Sequence, residues 1–389
     1  MAKNILYYIP ELSRNSGGVF QYAVSVLEGM RSSKNKIYVY NHTETEFLSS
    51  RFGDTANIFI LNHRLGKLNR FANKFRRILN LIRQEVNWIP EFEIQSVAGS
   101  ILKKYNIDLI HSPTQNYPLN DFPFIFTLHD VQELHMPEYF TPAERENRAR
   151  NNRIGCEEAA RVIVSYNHVK ADLVHFFGVA PDKVDVVTIG KPDPDIDVRE
   201  TPLEGEKFLL YPAATWPHKN HVTLIEAFLK ARNLHPDLSE FKLICTGHKT
   251  DHFNIIEEFI RKNNAMGFVE FRGVVSDQEL KQLYHTTTAV VVPTKYEAGS
   301  FPLMEAIVQQ VPVICSNVTS LPETIDHEAF VFDPDSIPEM SEKIFSIACD
   351  LEYRKLNLIN SKRLYSTLTG FNIAQAFDEI YGSENSGQK

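Results

Sequence analysis

Short apolar runs recur along the first half of the chain. Ile5–Ile9, Ile37–Tyr40, Ile58–Leu61, Ile107–His111, Phe124–Leu128, Arg161–Ser165 and Val184–Ile189 read as short buried strands. Between the first two runs, Val19, Tyr22, Ala23, Val26, Leu27 and Met30 recur at three- and four-residue spacing, which predicts an amphipathic helix. This strand–helix–strand rhythm predicts a mostly parallel sheet covered by helices. It breaks at Lys191–Lys207, where Pro192, Pro194, Pro202 and Gly205 lie among charges, a composition that suits an interdomain linker. It then restarts. Phe208–Tyr211, Phe241–Thr246, Val269–Phe271, Ala289–Val292, Val311–Cys315 and Phe330–Phe332 read as strands, and Asn220 is placed to cap a helix over His221–Arg232. Two α/β units are therefore expected.

Composition agrees with that reading. The 389 residues suffice for two full cores without disulfide or metal staples. A hydrophobic share of 43% with 23% charged residues excludes a disordered or fibrous chain. The net charge of −8 argues against a general nucleic-acid binder, so no nucleic-acid partner is expected. That charge is uneven: residues 1–195 hold 23 Lys/Arg and 22 Asp/Glu, whereas residues 196–389 hold 18 and 27. Cys156, Cys245, Cys315 and Cys349 show no metal-ligand spacing, which suits reduced thiols in a cytosolic protein. No signal-peptide pattern and no apolar run near the ~20 residues of a membrane helix is seen, so a cytoplasmic location is expected.

In open α/β sheets, ligands bind beyond the carboxyl ends of the strands, which directs attention to residues there. Glu297-Ala-Gly-Ser-Phe-Pro-Leu-Met-Glu305 follows a strand and runs into a helix near Pro302. Free N–H groups at a helix start favour a phosphate, while carboxylates accept hydrogen bonds from hydroxyls. A ligand with both, such as a nucleotide sugar, fits the pair; a solvated loop charge and a helix-surface charge fit it equally. Lys219, in the loop Pro212–Asn220, offers an ammonium to phosphate, against the usual fate of a solvated lysine. Gly17-Gly18 permits close backbone approach to a ligand but is neither a dinucleotide fingerprint nor a P-loop, and suits a plain turn as well. His129-Asp130 ends a strand, where the imidazole is placed to donate to a sugar hydroxyl; His111 is a weaker candidate of the same kind.

Taken in order, these pieces resemble the family 4 retaining glycosyltransferases. Gly17-Gly18, Asp108-Leu-Ile-His111, His129-Asp130, Ser165 with Asp172, Pro217-His-Lys-Asn220, Gly273-Val-Val-Ser, Glu297 to Glu305 as an E-x7-E motif, Leu321-Pro-Glu323 and Phe332-Asp-Pro follow the family's sequence of motifs. The resemblance implies the GT-B fold, two Rossmann-like α/β domains facing across a cleft: an acceptor domain over 1–195, with a C-terminal helix of about 371–385 packing back on it, and a donor domain over 196–370. It implies His129, Glu297 and Lys219 as catalytic residues. It assigns donor binding to Gly17, Gly18, His218, Lys219, Gly273, Val274, Ser300, Phe301, Pro302 and Glu305. Lys219 would neutralise the diphosphate, Glu305 accept from ribose hydroxyls, Glu297 contact the donor sugar and His129 hold the transferred sugar.

No metal and no cofactor are expected beyond the nucleotide-sugar substrate; Asp193-Pro-Asp195 and Asp333-Pro-Asp335 sit in proline-broken loops. One departure stands out. Ala213 and Pro212 occupy the places where the family often has an arginine and a glycine, so His218 or His221 is the expected stand-in for the second cation. The Pro-His-Lys-Asn-His loop resembles bacterial surface-polysaccharide enzymes, several of them mannosyltransferases. That leans toward GDP-mannose over a UDP-sugar as donor, with a glycan or lipid-linked oligosaccharide as acceptor. A non-catalytic sugar-nucleotide-binding subunit and a GT-B sugar-nucleotide epimerase remain as alternatives.

Arg64–Arg83 interleaves Arg70, Lys74, Arg76 and Arg77 with Phe71, Phe75, Ile78 and Leu79 and holds no acid. It reads as a basic amphipathic helix, either docking on anionic membrane at the inner face of the cytoplasmic membrane or packing an apolar stripe under a solvated basic face. Each basic residue near an anionic surface is worth about 1 kcal/mol. The membrane reading predicts that the protein sediments with anionic liposomes at low salt and is released at high salt; protein left in the supernatant at low salt overturns it.

Overall fold

The computed structural model describes residues 2–13, 17–61, 99–116, 118, 122–190, 198 and 206–383. The basic segment with Arg70, Lys74, Arg76 and Arg77, Asp193-Pro-Asp195 and nearly all of the expected linker lie outside the described residues. The chain divides into two compact units, one of Met1–Ile189 with Asn372–Lys389, the other of Gly190–Phe371.

The first unit is built on β1 (Asn4–Tyr8), β2 (Lys36–Tyr40), β3 (Ile58–Leu61), β4 (Leu109–Ser112), β5 (Phe124–Thr127), β6 (Arg161–Val164) and β7 (Val184–Val186). They pair in the order β3-β2-β1-β4-β5-β6-β7, every pair parallel. Side chains alternate across a strand, so a sheet buried on both faces needs apolar residues at successive positions. Strand β1 shows this: Ile5 and Tyr7 join one core layer, Leu6 and Tyr8 the other. The first layer is closed by the helix Gly18–Gly29 through Tyr22, Ala23, Val26 and Leu27. The helix Ile373–Ser383 joins it through Ile373, Phe377, Ile380 and Tyr381. Fully burying a large apolar side chain such as Phe377 is worth about 1.5–3 kcal/mol. Polar ties fix the register of that helix. Ser33 Oγ and Asn35 Nδ2 donate to Asp378 at 2.5 and 2.7 Å.

The second unit carries β8 (Glu206–Pro212), β9 (Lys242–Thr246), β10 (Val269–Phe271), β11 (Thr287–Val292), β12 (Val313–Ser316) and β13 (Val331–Phe332). Their order is β10-β9-β8-β11-β12-β13, again all parallel. Thr287 to Val292 is buried at every position, the mark of a central strand. Helices His221–Leu234, Phe301–Val308 and Ile337–Cys349 supply much of the remaining core. Cys156, Cys245 and Cys315 are buried free thiols and Cys349 is a partly buried one. Among the described residues no helix is long and apolar enough to cross a membrane.

Asn220 departs from its expected role. It precedes the helix His221–Leu234, but its backbone is left-handed (φ 61°) and its side chain does not cap. A capping residue uses the β region so that its side chain turns back on the first turn. Here Asn220 Nδ2 instead donates to the carbonyls of Pro293 and Pro334, at 3.0 and 2.8 Å.

Gly29 marks a close approach of two helices. A Cβ there would lie 2.4 Å from Ile373 Cβ. Gly29→Ala is expected to destabilise the protein by about 1–3 kcal/mol through overpacking. Adding Ile373→Gly, which removes that Cβ as well, should make the Gly29→Ala loss smaller than it is in the wild-type background. Additive losses in a denaturant-melt double-mutant cycle would show that the contact is not the cause.

Candidate functional site

Each sheet reverses its strand order once, at β1/β4 and at β8/β11. Where neighbouring strands send their connections to opposite faces, the loops after them part and leave a crevice. The polar groups of interest collect at these two places.

In the second unit, the loop after β8 leads to a single turn, Pro217–Lys219, and the loop after β11 runs from Pro293 to Ser300. Lys219 Nζ donates to Glu297 Oε2 at 2.6 Å, with the two side chains only 18% and 13% exposed. The loops are stitched together beneath this ion pair. Thr294 Oγ1 and Lys295 N donate to the His218 carbonyl at 3.1 and 2.8 Å. Asn220 spans to Pro293, and Tyr211 Oη donates to the Lys219 carbonyl at 2.9 Å. Glu297 is held by its backbone as well. Its N–H donates to Thr319 Oγ1 at 3.1 Å, and Ser320 Oγ donates to its carbonyl at 3.0 Å. Thr319 is left-handed (φ 51°), unusual for a β-branched residue and a sign that its hydroxyl is held in place.

The helix Phe301–Val308 starts beside Glu297. Ser300 Oγ accepts from Leu303 N at 3.4 Å, and Pro302 has no N–H to give. The Phe301 N–H is thus left at this helix start without a hydrogen bond among the described residues, fewer free donors than the sequence pattern suggests. Glu305 lies one turn further on, partly buried. Burial, and then the charge of Glu305, push the Tyr284 phenol well above its usual range, so Tyr284 remains a donor. Gly247 (φ 120°) is obligatory, because a Cβ would meet the Ala213 backbone at 2.6 Å. Its N–H donates to the carbonyl of Gly273 (φ 70°) at 2.7 Å, beside the 75% exposed Val274. Asp335 is engaged by Lys295 Nζ at 2.5 Å.

The histidines do not supply the missing cation. Burial, and then the charge of Lys219, depress both His218 and His221 to about 3. Both are neutral at neutral pH, so Lys219 carries the positive charge of this loop.

In the first unit, a cavity of about 450 Å³ opens at the ends of β1, β4 and β5. Glu11, Gln115, Asn116 and His129 line it from the loops, and Arg148 and Asn151 from the helix Pro142–Glu158. His129 is not the donor expected from its position. Its Nε2 lies 3.0 Å from the Pro113 carbonyl, which can only accept. Burial lowers its pKa, partly opposed by Asp130, so the ring is neutral and Nδ1 is left as an acceptor. The Tyr22 ring packs edge-on against it at 4.6 Å. Arg148 bridges Asp130 and Glu133, each at 2.9 Å.

His111 takes no part in this cavity. It is fully buried, with Nδ1 at 2.7 Å from Tyr381 Oη and Nε2 at 3.1 Å from Thr127 Oγ1. Gly17 (φ 58°) precedes the helix that begins at Gly18, and a Cβ on it would meet nothing within 4 Å. Backbone conformation, not space, requires glycine there. Thr319, Ser320 and Arg148 carry no signal of their own in the sequence, and Tyr22 reads there only as a core position of its helix. Only the strand-end placement of their partners hints at them.

Both units are wholly parallel α/β sheets with polar loops gathered at their strand reversals. A family profile described as Glycosyltransferase Family 4 matches residues 16–190, and one described as Glycosyl transferases group 1 matches residues 193–359. The chain belongs to this family of transferases. It is 24% identical over 299 residues to the O-antigen chain mannosyltransferase B of Escherichia coli, covering 73% of this chain and 77% of that one. It is 25% identical over 209 residues to the O-antigen chain mannosyltransferase RfbU of Salmonella typhimurium, covering 54% and 56%. The fold matches that of HepE from Anabaena, crystallised with UDP and glucose, with a TM-score of 0.70 at 16% identity over 98% and 100% of the two chains.

The neutral histidines set a pH dependence. A histidine whose pKa is depressed in the fold gains no proton there, while the unfolded chain takes one below about pH 6.5. His111, His218 and His221, each lowered to about 3, therefore weaken the fold as pH falls from about 6.5 toward 3. Their ring resonances in NMR should stay unshifted down to pH 5. Titration near 6.5 would contradict the burial argument.

Proposed function

We propose that the protein transfers mannose from GDP-mannose to a hydroxyl of a growing surface glycan, free or lipid-linked, with retention of anomeric configuration. The observation that carries the donor half is the Lys219–Glu297 pair at the β8/β11 reversal, beside the helix start at Ser300. An ammonium there meets the charge that builds on a departing diphosphate, and it does so without a metal. Glu297 and Glu305 are acceptors suited to the hydroxyls of the sugar and the ribose. The choice of mannose is supported by the two bacterial relatives, both O-antigen chain mannosyltransferases. A UDP-sugar is the competing donor, favoured by the ligand of the HepE crystals.

The acceptor is assigned to the cavity of the first unit, where Glu11, Gln115, Asn116 and Asn151 offer carboxylate and amide groups to hydroxyls. In this reading His129 Nδ1 accepts a hydrogen bond from a hydroxyl of the transferred sugar, and Gly17-Gly18 lets backbone approach the phosphates. Retention by front-face attack needs no protein nucleophile, so Glu297 serves as a hydrogen-bond acceptor.

A coupled assay for nucleoside diphosphate release, run with GDP-mannose and with UDP-hexoses over an acceptor panel, tests the reading. Transfer from GDP-mannose is expected, and Lys219→Ala should lower kcat/KM by about 10²–10³. Wild-type turnover in Lys219→Ala would remove the donor-site assignment, and turnover with UDP-hexoses alone would replace the donor.

A further inference from the structure

Lys219 is already occupied. Its ammonium lies 2.6 Å from Glu297 Oε2 in a place where both groups are largely withdrawn from water. Such a pair is weakly screened, and a phosphate arriving at Lys219 meets the carboxylate as a rival anion. The rival is not free to swing away with its loop. Thr319 and Ser320 fix its backbone on both sides, and Thr294, Lys295 and Asn220 lock the two loops together. Neither His218 nor His221 adds positive charge to relieve the competition.

We propose that Glu297 is a built-in counter-anion that makes the site discriminate between the intact sugar nucleotide and the nucleoside diphosphate left after transfer. This rests on the donor-site reading above. An intact donor brings sugar hydroxyls, which donate to the Glu297 carboxylate and compensate it when the diphosphate takes Lys219. The bare diphosphate brings none. Glu297 then keeps its hold on Lys219, and the product binds weakly and leaves. Glu297 thereby acts on phosphate affinity through Lys219, as a positioning residue for that charge.

Calorimetric titration of the full-length protein tests this with GDP, UDP and their nucleosides guanosine and uridine. Whichever diphosphate wild type binds should bind at least tenfold more tightly to Glu297→Gln, and also to Glu297→Ala. Affinity for the nucleosides, which carry no phosphate, should not change. Product inhibition of residual transfer should deepen in step. Lys219→Ala should lose diphosphate affinity. If it does so while both Glu297 variants bind the diphosphate no more tightly than wild type, the counter-anion proposal is wrong and the donor site stands. Equal diphosphate affinity in Lys219→Ala and wild type, or failure of both nucleotides to bind wild type and both Glu297 variants alike, overturns the donor-site reading and this proposal together. Melting temperatures near wild type in the Glu297 variants confirm that both are folded; a diphosphate gain limited to a misfolded variant counts against the proposal.

Discussion

The structure turns on one constraint of parallel sheets. Every connection must cross from the end of one strand to the start of the next, and it lies against one face or the other. Where two neighbouring strands send their connections to opposite faces, the loops that follow them part above the strand ends and leave room for a ligand. At β1/β4 and β8/β11 the strand order reverses in this way, and each unit assembles its polar side chains there. The catalytic potential of the chain thus follows from strand order first and residue identity second.

Electrostatics at the second reversal is local. The half of the chain after residue 195 carries nine more acidic than basic residues, an unfavourable background for an anionic ligand. Against it stands the ammonium of Lys219, with neighbouring histidines that burial keeps neutral. A low-exposure site gives such a charge long reach, because little water and salt intervene. The same seclusion makes its pairing with Glu297 consequential, where an exposed pair of equal length would matter little.

The buried strands were legible in the sequence because a strand covered on both faces must be apolar at successive positions, and no surface element mimics that for long. Lys219 and the Glu297–Glu305 spacing were legible because they sit directly after such strands. Geometry set by distant partners was not legible. Asn220 has the composition of a cap, yet its amide is claimed by carbonyls 73 and 114 residues away. The proton of His129 is placed by the carbonyl of Pro113, so the position of the ring was readable but not its donor or acceptor sense. Thr319 and Ser320 have no spacing signature at all, since they act on Glu297 across 22 and 23 residues through single hydroxyls. The charge of His218 and His221 depends on burial, which a list of residues does not contain.

The core of the first unit is written at two ends of the chain. Ile373, Phe377 and Tyr381 complete a layer begun by Ile5 and Tyr7, and the Tyr381 hydroxyl meets His111. Synthesis runs in one direction, so the residues of the second unit, Gly190–Phe371, have all been made before the helix Ile373–Ser383 exists. Until it exists, one face of the first sheet lacks a helix and the imidazole of His111 lacks one partner. Part of the core of the earlier half is thus supplied by the segment made after the later half, and until then that apolar face lacks one of its covers.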